Sequence, residues 1–246
     1  IAMMKLKSKV TLPAVGLSGF ETPMSDEETG VQDVVHRFAR EVMRPLGAQL
    51  DKLTAAEVIA PGSPYWSLFA EYAKLGLDPA MLLELPPDVA VRIESQMGEE
   101  LGWGDAGLAI SLVVAAFPMQ MAAVIGNREL VDLCTGKIGC WMITHPDKGS
   151  DVTMVDVTRE LPAGQQGNKG NMWGRVQGDE IVINGQCSAW VSNGAVAQVA
   201  LGYISAEYED GFFAPDGNPY GMSVIIPLDL PGVSKGKPLD KLGQRA

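Results

Sequence analysis

Two short stretches of this chain carry residue types suited to a polar, planar ligand. The first runs Trp-Met-Ile-Thr-His-Pro-Asp-Lys-Gly-Ser-Asp, from Trp141 to Asp151. A strand ending at Thr144 leads to Pro146, which fixes its own φ, and to Gly149-Ser150, where a missing Cβ lets backbone approach a ligand closely. Backbone amides and the hydroxyls of Thr144 and Ser150 can bind a polar ring edge and an anionic oxygen there. The second stretch is Ser188-Ala-Trp-Val-Ser192. Read as a strand, it puts Trp190 and Ser192 on one face, because side chains alternate along a strand. An indole that stacks and a hydroxyl that hydrogen-bonds suit a planar aromatic ligand. Taken alone, the first pattern also fits a strand-to-turn connection with no ligand. The second also fits a core tryptophan beside a surface serine.

The remaining reactive residues are scattered. Of the two histidines, His36 stands beside Arg37 without clustered acidic or cysteine ligands and reads as a surface residue, so no metal is expected. His145 follows Thr144 directly and reads as a solvent-facing substitution, with a tuning role at the site as the alternative. Cys134, Cys140 and Cys187 form no Cys-x-x-Cys pair and are odd in number, which points to a reducing compartment, taken as the cytoplasm. Cys187 reads as a small buried residue. Glu94, Glu99 and Glu100 read as a solvated helix face.

The elements that must position these stretches change character near the middle of the chain. From Ser25 onward, Val31, Val34, Val35, Phe38, Val42 and Leu46 fall at helical spacing, with Pro45 at the far end. A second helix fits residues 63–77, with Gly76 as its stop. A third fits 87–101, opening on proline and closing on glycine. The apolar stretch 107–126 reads as a buried core helix that stops or kinks at Pro118, and a short helix follows over 127–134. Beyond Gly136 the grammar is of strands and turns: 137–144, 151–158, 178–185, 196–208 and 221–228 are rich in Val, Ile and aromatics and bounded by Gly, Pro, Asn and Asp. Asn184-Gly185 is a hairpin turn signal. Residues 161–174 read as a long glycine- and glutamine-rich loop.

The expected fold class is therefore α+β. An all-α helical domain (26–135) is followed by an antiparallel β-barrel or sandwich domain (136–240). Residues 1–25 form an N-terminal extension, not read as a signal peptide, and 241–246 begin a connection onward. The 246 residues, 46% hydrophobic and 20% charged, can bury a substantial core. No uninterrupted apolar run approaches the ~18 residues of a membrane span, so no membrane insertion is expected. A net charge of −11 argues against nucleic acid as a partner. The basic cluster at 234–245 reads as a solvated loop.

Taken together, the motifs resemble one family. Thr-x-Pro-x-x-Gly-Ser-Asp (144–151), the Asn-Gly turn and Ala-Trp-Val-Ser-Asn (189–193) are similar to the flavin-binding strand domain of acyl-CoA dehydrogenases. Residues 34–47 resemble the family's first helix, and 98–112 the helix pair before the strand domain. Residues 232–246 resemble the exit toward a last helical domain. The match runs in family order from about residue 26 to 246. The resemblance implies FAD as cofactor, held by Trp141, Met142, Ile143, Thr144, Gly149, Ser150, Trp190, Val191 and Ser192. Thr144 would bond the ring edge, Trp190 pack on the flavin, and Ser192 stand near N5. Ser150 would also border an acyl-CoA substrate. It further implies α,β-desaturation of an acyl-CoA thioester with hydride transfer to flavin, in a setting of fatty acid metabolism. Electrons would leave to an electron-transfer flavoprotein, and the assembly would be a homodimer or homotetramer.

Three departures accompany the likeness. The family's C-terminal helical domain, which carries the catalytic glutamate, is absent from this chain, so no catalytic residue is assigned and the base is expected elsewhere. His145 stands where the family has glutamate. The step from the Asn-Gly turn to Trp190 is one residue longer than usual, as a bulge allows. Two rival readings remain: a related flavin oxidase or monooxygenase, and a family-like subunit without catalysis of its own.

Overall fold

The computed structural model describes residues 24–77, 79–82, 84–149, 165–241 and 243–244. Ser150, the strand expected over 151–158 and nearly all of the N-terminal extension lie outside them. All the described helices precede the strands in the chain.

Helix α1 (Asp26–Phe38) starts where Ser25 and Glu28 cap each other: the Glu28 N–H donates to the Ser25 hydroxyl at 3.1 Å, and the Ser25 N–H to the Glu28 carboxylate at 2.7 Å. Pro45 does not end this helical rod as the sequence suggested. Its missing N–H is absorbed by a wider π turn (Ala39–Met43), in which the Arg44 N–H reaches back to the Ala39 carbonyl, and α2 (Arg44–Leu50) carries on. Two short helices, α3 (Ala55–Val58) and α5 (Pro79–Leu82), flank α4 (Tyr65–Ala73), which stops before Gly76 at φ +68°. Helix α6 (Pro87–Gly104) hands over to α7 (Ala106–Val124) at Asp105, whose carboxylate caps the Leu108 N–H at 2.9 Å. Helix α8 (Arg128–Cys134) follows. Val35, Phe38, Met43, Leu68, Leu101 and Leu112 meet in one buried apolar cluster that joins α1, α4, α6 and α7.

Helix α7 corrects two expectations. It does not stop at Pro118 but runs through it, with the proline ring buried against the start of the sheet. A Cβ on Gly139 would stand 2.5 Å from the Ala115 carbonyl and 2.6 Å from the Pro118 ring, so helix and strand touch backbone to backbone. By length and composition alone α7, with mean hydropathy 1.9, is also long and apolar enough to cross a membrane, which the broken apolar run had argued against. Here it packs on α6, α8 and β1.

The sheet has β4 (Val199–Glu207) at its centre. Strand β5 (Gly221–Pro227) pairs antiparallel along one edge, while β1 (Gly139–Met142) and β2 (Trp173–Gln177) pair parallel with successive parts of the other. Strand β3 (Glu180–Asn184) closes a hairpin with β2. The expected all-antiparallel barrel or sandwich is thus corrected: the sheet is mixed, and no pairing among the described residues closes it. Two strands that both follow crossovers can lie parallel to β4, whereas only β2–β3 and β4–β5 are joined directly enough to form antiparallel pairs. Strand β2 starts at Trp173, in the last two residues of the loop expected over 161–174, and was not among the expected strands. A second buried cluster, including Cys140, Met142, Ala200, Ile204, Val224 and Ile226, fills one face of the sheet.

Candidate functional site

The end of β1 places the first sequence motif. Met142 points into the strand cluster and is 8% exposed, so its side chain is committed to the core. Trp141 points the other way, edge-on to Phe117 of α7 at 4.9 Å between ring centroids. Its indole Nε1 is buried with no hydrogen-bond partner among the described residues. Ile143 and Thr144 are half-buried, and Gly149 is exposed.

Thr144 is the meeting point of the two motifs. Its carbonyl accepts from the Ser188 N–H at 2.9 Å and the Cys187 thiol at 3.1 Å, and its hydroxyl lies 2.6 Å from that of Ser188. The Ser188 hydroxyl in turn accepts from the Trp190 N–H at 3.3 Å. Through this chain of bonds the backbone of Trp190 is tied to Thr144, while the residue remains 66% exposed. An exposed indole on a segment bonded to a hydroxyl pair offers a stacking face and hydrogen-bonding groups on neighbouring residues.

The strand expected over 188–192 does not form. Residues 188–191 have no regular structure and 192–196 make a turn, so alternation does not relate Trp190 to Ser192. Side-chain bonds to backbone replace a strand ladder here. Val191 packs half-buried against the strand cluster, and the Ser192 hydroxyl accepts from the Gln244 amide at 3.0 Å.

Asn193, the last residue of the Ala-Trp-Val-Ser-Asn motif and given no role from sequence, closes this turn. Among the described residues it is the only non-glycine with positive φ, at 61°, and it is 1% exposed. Its amide nitrogen donates to the carbonyls of Ser111 in α7 (2.8 Å) and Gly139 in β1 (3.2 Å). Its side-chain oxygen accepts from the Tyr65 hydroxyl of α4 at 3.3 Å. Burial pushes the Tyr65 phenol up to about 12, so it donates as a neutral group. The signal was present in Ser-Asn-Gly, where asparagine before glycine favours a left-handed turn.

His145 is not solvent-facing. It is 5% exposed, and its backbone pairs with Lys148 in both directions, at 2.9 and 3.3 Å, to close a turn. That turn leaves Pro146 and Asp147 outside and folds the imidazole inward. Asn171 holds the turn from the far side: its N–H donates to Asp147, and its side chain accepts from the Gln186 N–H. Cys187 is half-buried and Cys140 fully so; burial raises both thiols, that of Cys140 to about 12. Glu100 also differs from expectation, while His36, its side chain 40% exposed, stays at the surface. His36 stacks on Trp103 with ring centroids 4.6 Å apart, and its Nδ1 lies 2.6 Å from the Glu100 carboxylate, which Gln32 also meets. Packing of α1 on α6 takes Glu100 out of a solvated face.

A cavity of about 440 Å³ opens between α5, α6 and α7. Met81, Leu82, Ile93, Met97, Val113 and Phe117 make it mainly apolar, with Gln120 and Glu94 among its polar lining. Met119 and Met121, which the sequence offered as pocket candidates, are not among its lining residues. Phe117 is shared between this cavity and the Trp141 ring.

Comparison with known proteins gives this arrangement a context. No protein-family model matches the chain. The human mitochondrial short-chain specific acyl-CoA dehydrogenase is 29% identical over 220 residues, covering 85% of this chain and 45% of its own length. A glutaryl-CoA dehydrogenase from Mycobacterium smegmatis, solved in complex with FADH2, superposes with a TM-score of 0.61 at 22% identity over 91% of this chain and 51% of its own. The butyryl-CoA dehydrogenase of Megasphaera elsdenii also gives 0.61, at 19% identity over 90% of this chain and 53% of its own. The curated and structural neighbours are thus acyl-CoA dehydrogenases, at moderate identity over most of the chain, and the mixed α+β architecture matches theirs. The chain spans about half the length of these relatives.

Proposed function

We propose that this chain forms the helical and strand-rich part of an FAD-dependent acyl-CoA dehydrogenase, acting in α,β-desaturation of an acyl-CoA thioester. The observation that carries the reading is the exposed indole of Trp190, tied through Ser188 to the hydroxyl of Thr144. A large aromatic left open to solvent, on a segment whose backbone is bonded to a pair of hydroxyls, fits an isoalloxazine, which needs a face to stack on and donors at its edge. The residues present therefore suit the cofactor that the resemblance implies.

In this reading Trp190 packs on the flavin, Thr144 and Ser188 share the bonds to its edge, and Ser192 lies next along the same segment. Trp141, Met142 and Ile143 contribute the strand that carries Thr144, with Met142 acting through its backbone. Gly149 and Ser150 are assigned to the pyrophosphate, and Ser150 also to the thioester. The apolar cavity beside Phe117 accommodates an acyl chain. Bound FAD supplies a hydride acceptor. The protein's part is to hold the thioester and exclude water around it. No base is assigned among the described residues.

We further assign acceptance of electrons to an electron-transfer flavoprotein and the assembly to a homodimer or homotetramer. The test is a titration of the full-length gene product with FAD, followed by anaerobic addition of butyryl-CoA and longer acyl-CoA thioesters. Bleaching of the flavin band by a thioester, with slow reoxidation in air, is the expected result. Rapid oxygen consumption after reduction favours the oxidase or monooxygenase, and absence of FAD binding removes the reading.

A further inference from the structure

The turn that follows Trp190 is fixed from three directions by one side chain. Asn193 uses both amide hydrogens and its side-chain carbonyl, on groups from α7, β1 and α4. Its own main-chain carbonyl receives the N–H groups of Val196 and Ala197, at 2.9 and 2.8 Å. The two amide bonds straddle the seam where Gly139 meets α7 backbone to backbone, so the side chain bridges helix and strand at their closest approach.

We infer that Asn193 is a positioning residue for the ligand wall: it sets the angle at which the segment Trp190–Ser192 is presented beside Thr144. This rests on the FAD reading for the identity of the ligand, but the geometry stands apart from it. Only asparagine meets all the demands of the position. It tolerates a left-handed backbone, offers two donors on one nitrogen, and retains an acceptor for the Tyr65 phenol. Aspartate has the same shape but no donor for the Ser111 and Gly139 carbonyls. Glycine keeps the backbone conformation and loses all three side-chain bonds. Trp190 itself makes no bond to α4 or α7, so its placement against the helical half reaches it through Asn193 and through Val196, which packs on the helical cluster.

The consequence is a separation of roles. Trp190 and Thr144 touch the ligand, and Asn193 does not. Loss of its bonds loosens the wall while leaving every contacting side chain in the sequence. Binding then weakens because the loosened segment must be ordered again when the ligand arrives.

The experiment compares wild type, Asn193→Asp, Asn193→Gly and Tyr65→Phe in the full-length protein, by FAD titration and by hydrogen–deuterium exchange of the ligand-free protein. Asn193→Asp and Asn193→Gly are expected to weaken FAD binding by about tenfold or more and to reduce its fluorescence quenching at saturation, because the flavin no longer lies flat on the indole. Tyr65→Phe, which removes one bond of three, is expected to have a smaller effect. Faster exchange confined to residues 188–197 in the ligand-free Asn193 variants supports positioning whether or not FAD is the ligand. Should Asn193→Asp fail to fold, Asn193→Gly and Tyr65→Phe carry the same comparison. Unchanged exchange in this segment overturns the inference. So does an FAD affinity that falls only in step with global stability. Wild-type protein that binds no FAD while the exchange pattern holds sinks the functional reading alone.

Discussion

The hydroxyl of Thr144 lies 2.6 Å from the hydroxyl of Ser188, joining the end of β1 to the segment that presents Trp190. One of the two must donate to the other, so the pair as a whole has one hydrogen left to offer outward. Thr144→Val and Ser188→Ala are each expected to weaken FAD binding by about tenfold, the cost of one lost hydrogen bond of ~1–1.5 kcal/mol. Because the two act as a unit, the double variant is expected to lose little more than the worse single one. Fluorescence titration of the four proteins measures this, and fully additive losses would show that the hydroxyls act independently.

Trp190 separates binding from folding. With two-thirds of its surface exposed, it contributes little to the core, and Trp190→Ala is expected to change unfolding free energy by no more than ~0.5 kcal/mol. FAD affinity, by contrast, should drop at least about tenfold, with partial retention in Trp190→Phe, which keeps a smaller stacking face. Urea denaturation and FAD titration on the same preparations check both halves. A stability loss of several kcal/mol would instead make the indole a core residue.

The long elements were readable from sequence because their signals are local. Helix α6 opens on Pro87 and ends by Gly104, and β3, β4 and β5 coincide closely with runs of Val and Ile between turn residues. Strand direction was not readable. Whether β1 runs parallel to β4 depends on the crossovers between them, which no short window encodes. Pro45 and Pro118 misled for a related reason: each breaks a helix locally, yet a π turn accommodates one and packing against Gly139 holds the other. At the site, the residue types around Thr144 and Trp190 were legible, but the link between them was not. Ser188 and Asn193 act through partners 44 and 82 residues away in the chain, and His145 is buried by a turn that its own neighbours close.

His145 tests that last point directly. A carboxylate in its place must lose most of its hydration inside the turn. His145→Glu is expected to cost ~1–3 kcal/mol of stability at neutral pH. Burial raises the pKa of the introduced carboxyl in the folded state. The variant is therefore most stable, relative to wild type, at acid pH, and its deficit grows as pH rises through that folded pKa. Chemical denaturation at pH 4.5 and pH 8 reads the difference, and an equal deficit at both would exclude desolvation as its cause.

The backbone contact between α7 and β1 predicts an asymmetry between two glycines. Gly139→Ala drives a methyl into the Ala115 carbonyl and the Pro118 ring, neither of which can swing away, and should cost ~1–3 kcal/mol. Gly202→Ala meets the flexible end of Met142 at 3.1 Å, which can rotate aside, and should cost less. Thermal melts of the two variants decide it, and a larger loss at Gly202 would contradict the packing described.

Glu28 predicts part of the protein's acid sensitivity. The Ser25 N–H, and after it the Arg92 guanidinium 2.7 Å away, hold its carboxyl below the ordinary value of 4.5. A carboxylate with a depressed folded pKa contributes stability that is fully present above its unfolded value and is lost as pH falls through the folded one. Wild-type stability is therefore expected to decline as pH drops below about 4.5, as α1 loses its cap and its tie to Arg92 of α6. Glu28→Gln has no such charge to lose. It starts less stable at pH 7, because Arg92 loses the nearer of its two carboxylate partners and keeps only Asp88, and it should decline less steeply between pH 5 and pH 3. Urea denaturation across that range compares the two slopes. Parallel curves would mean that other carboxylates, and not this capped pair, set the acid limb.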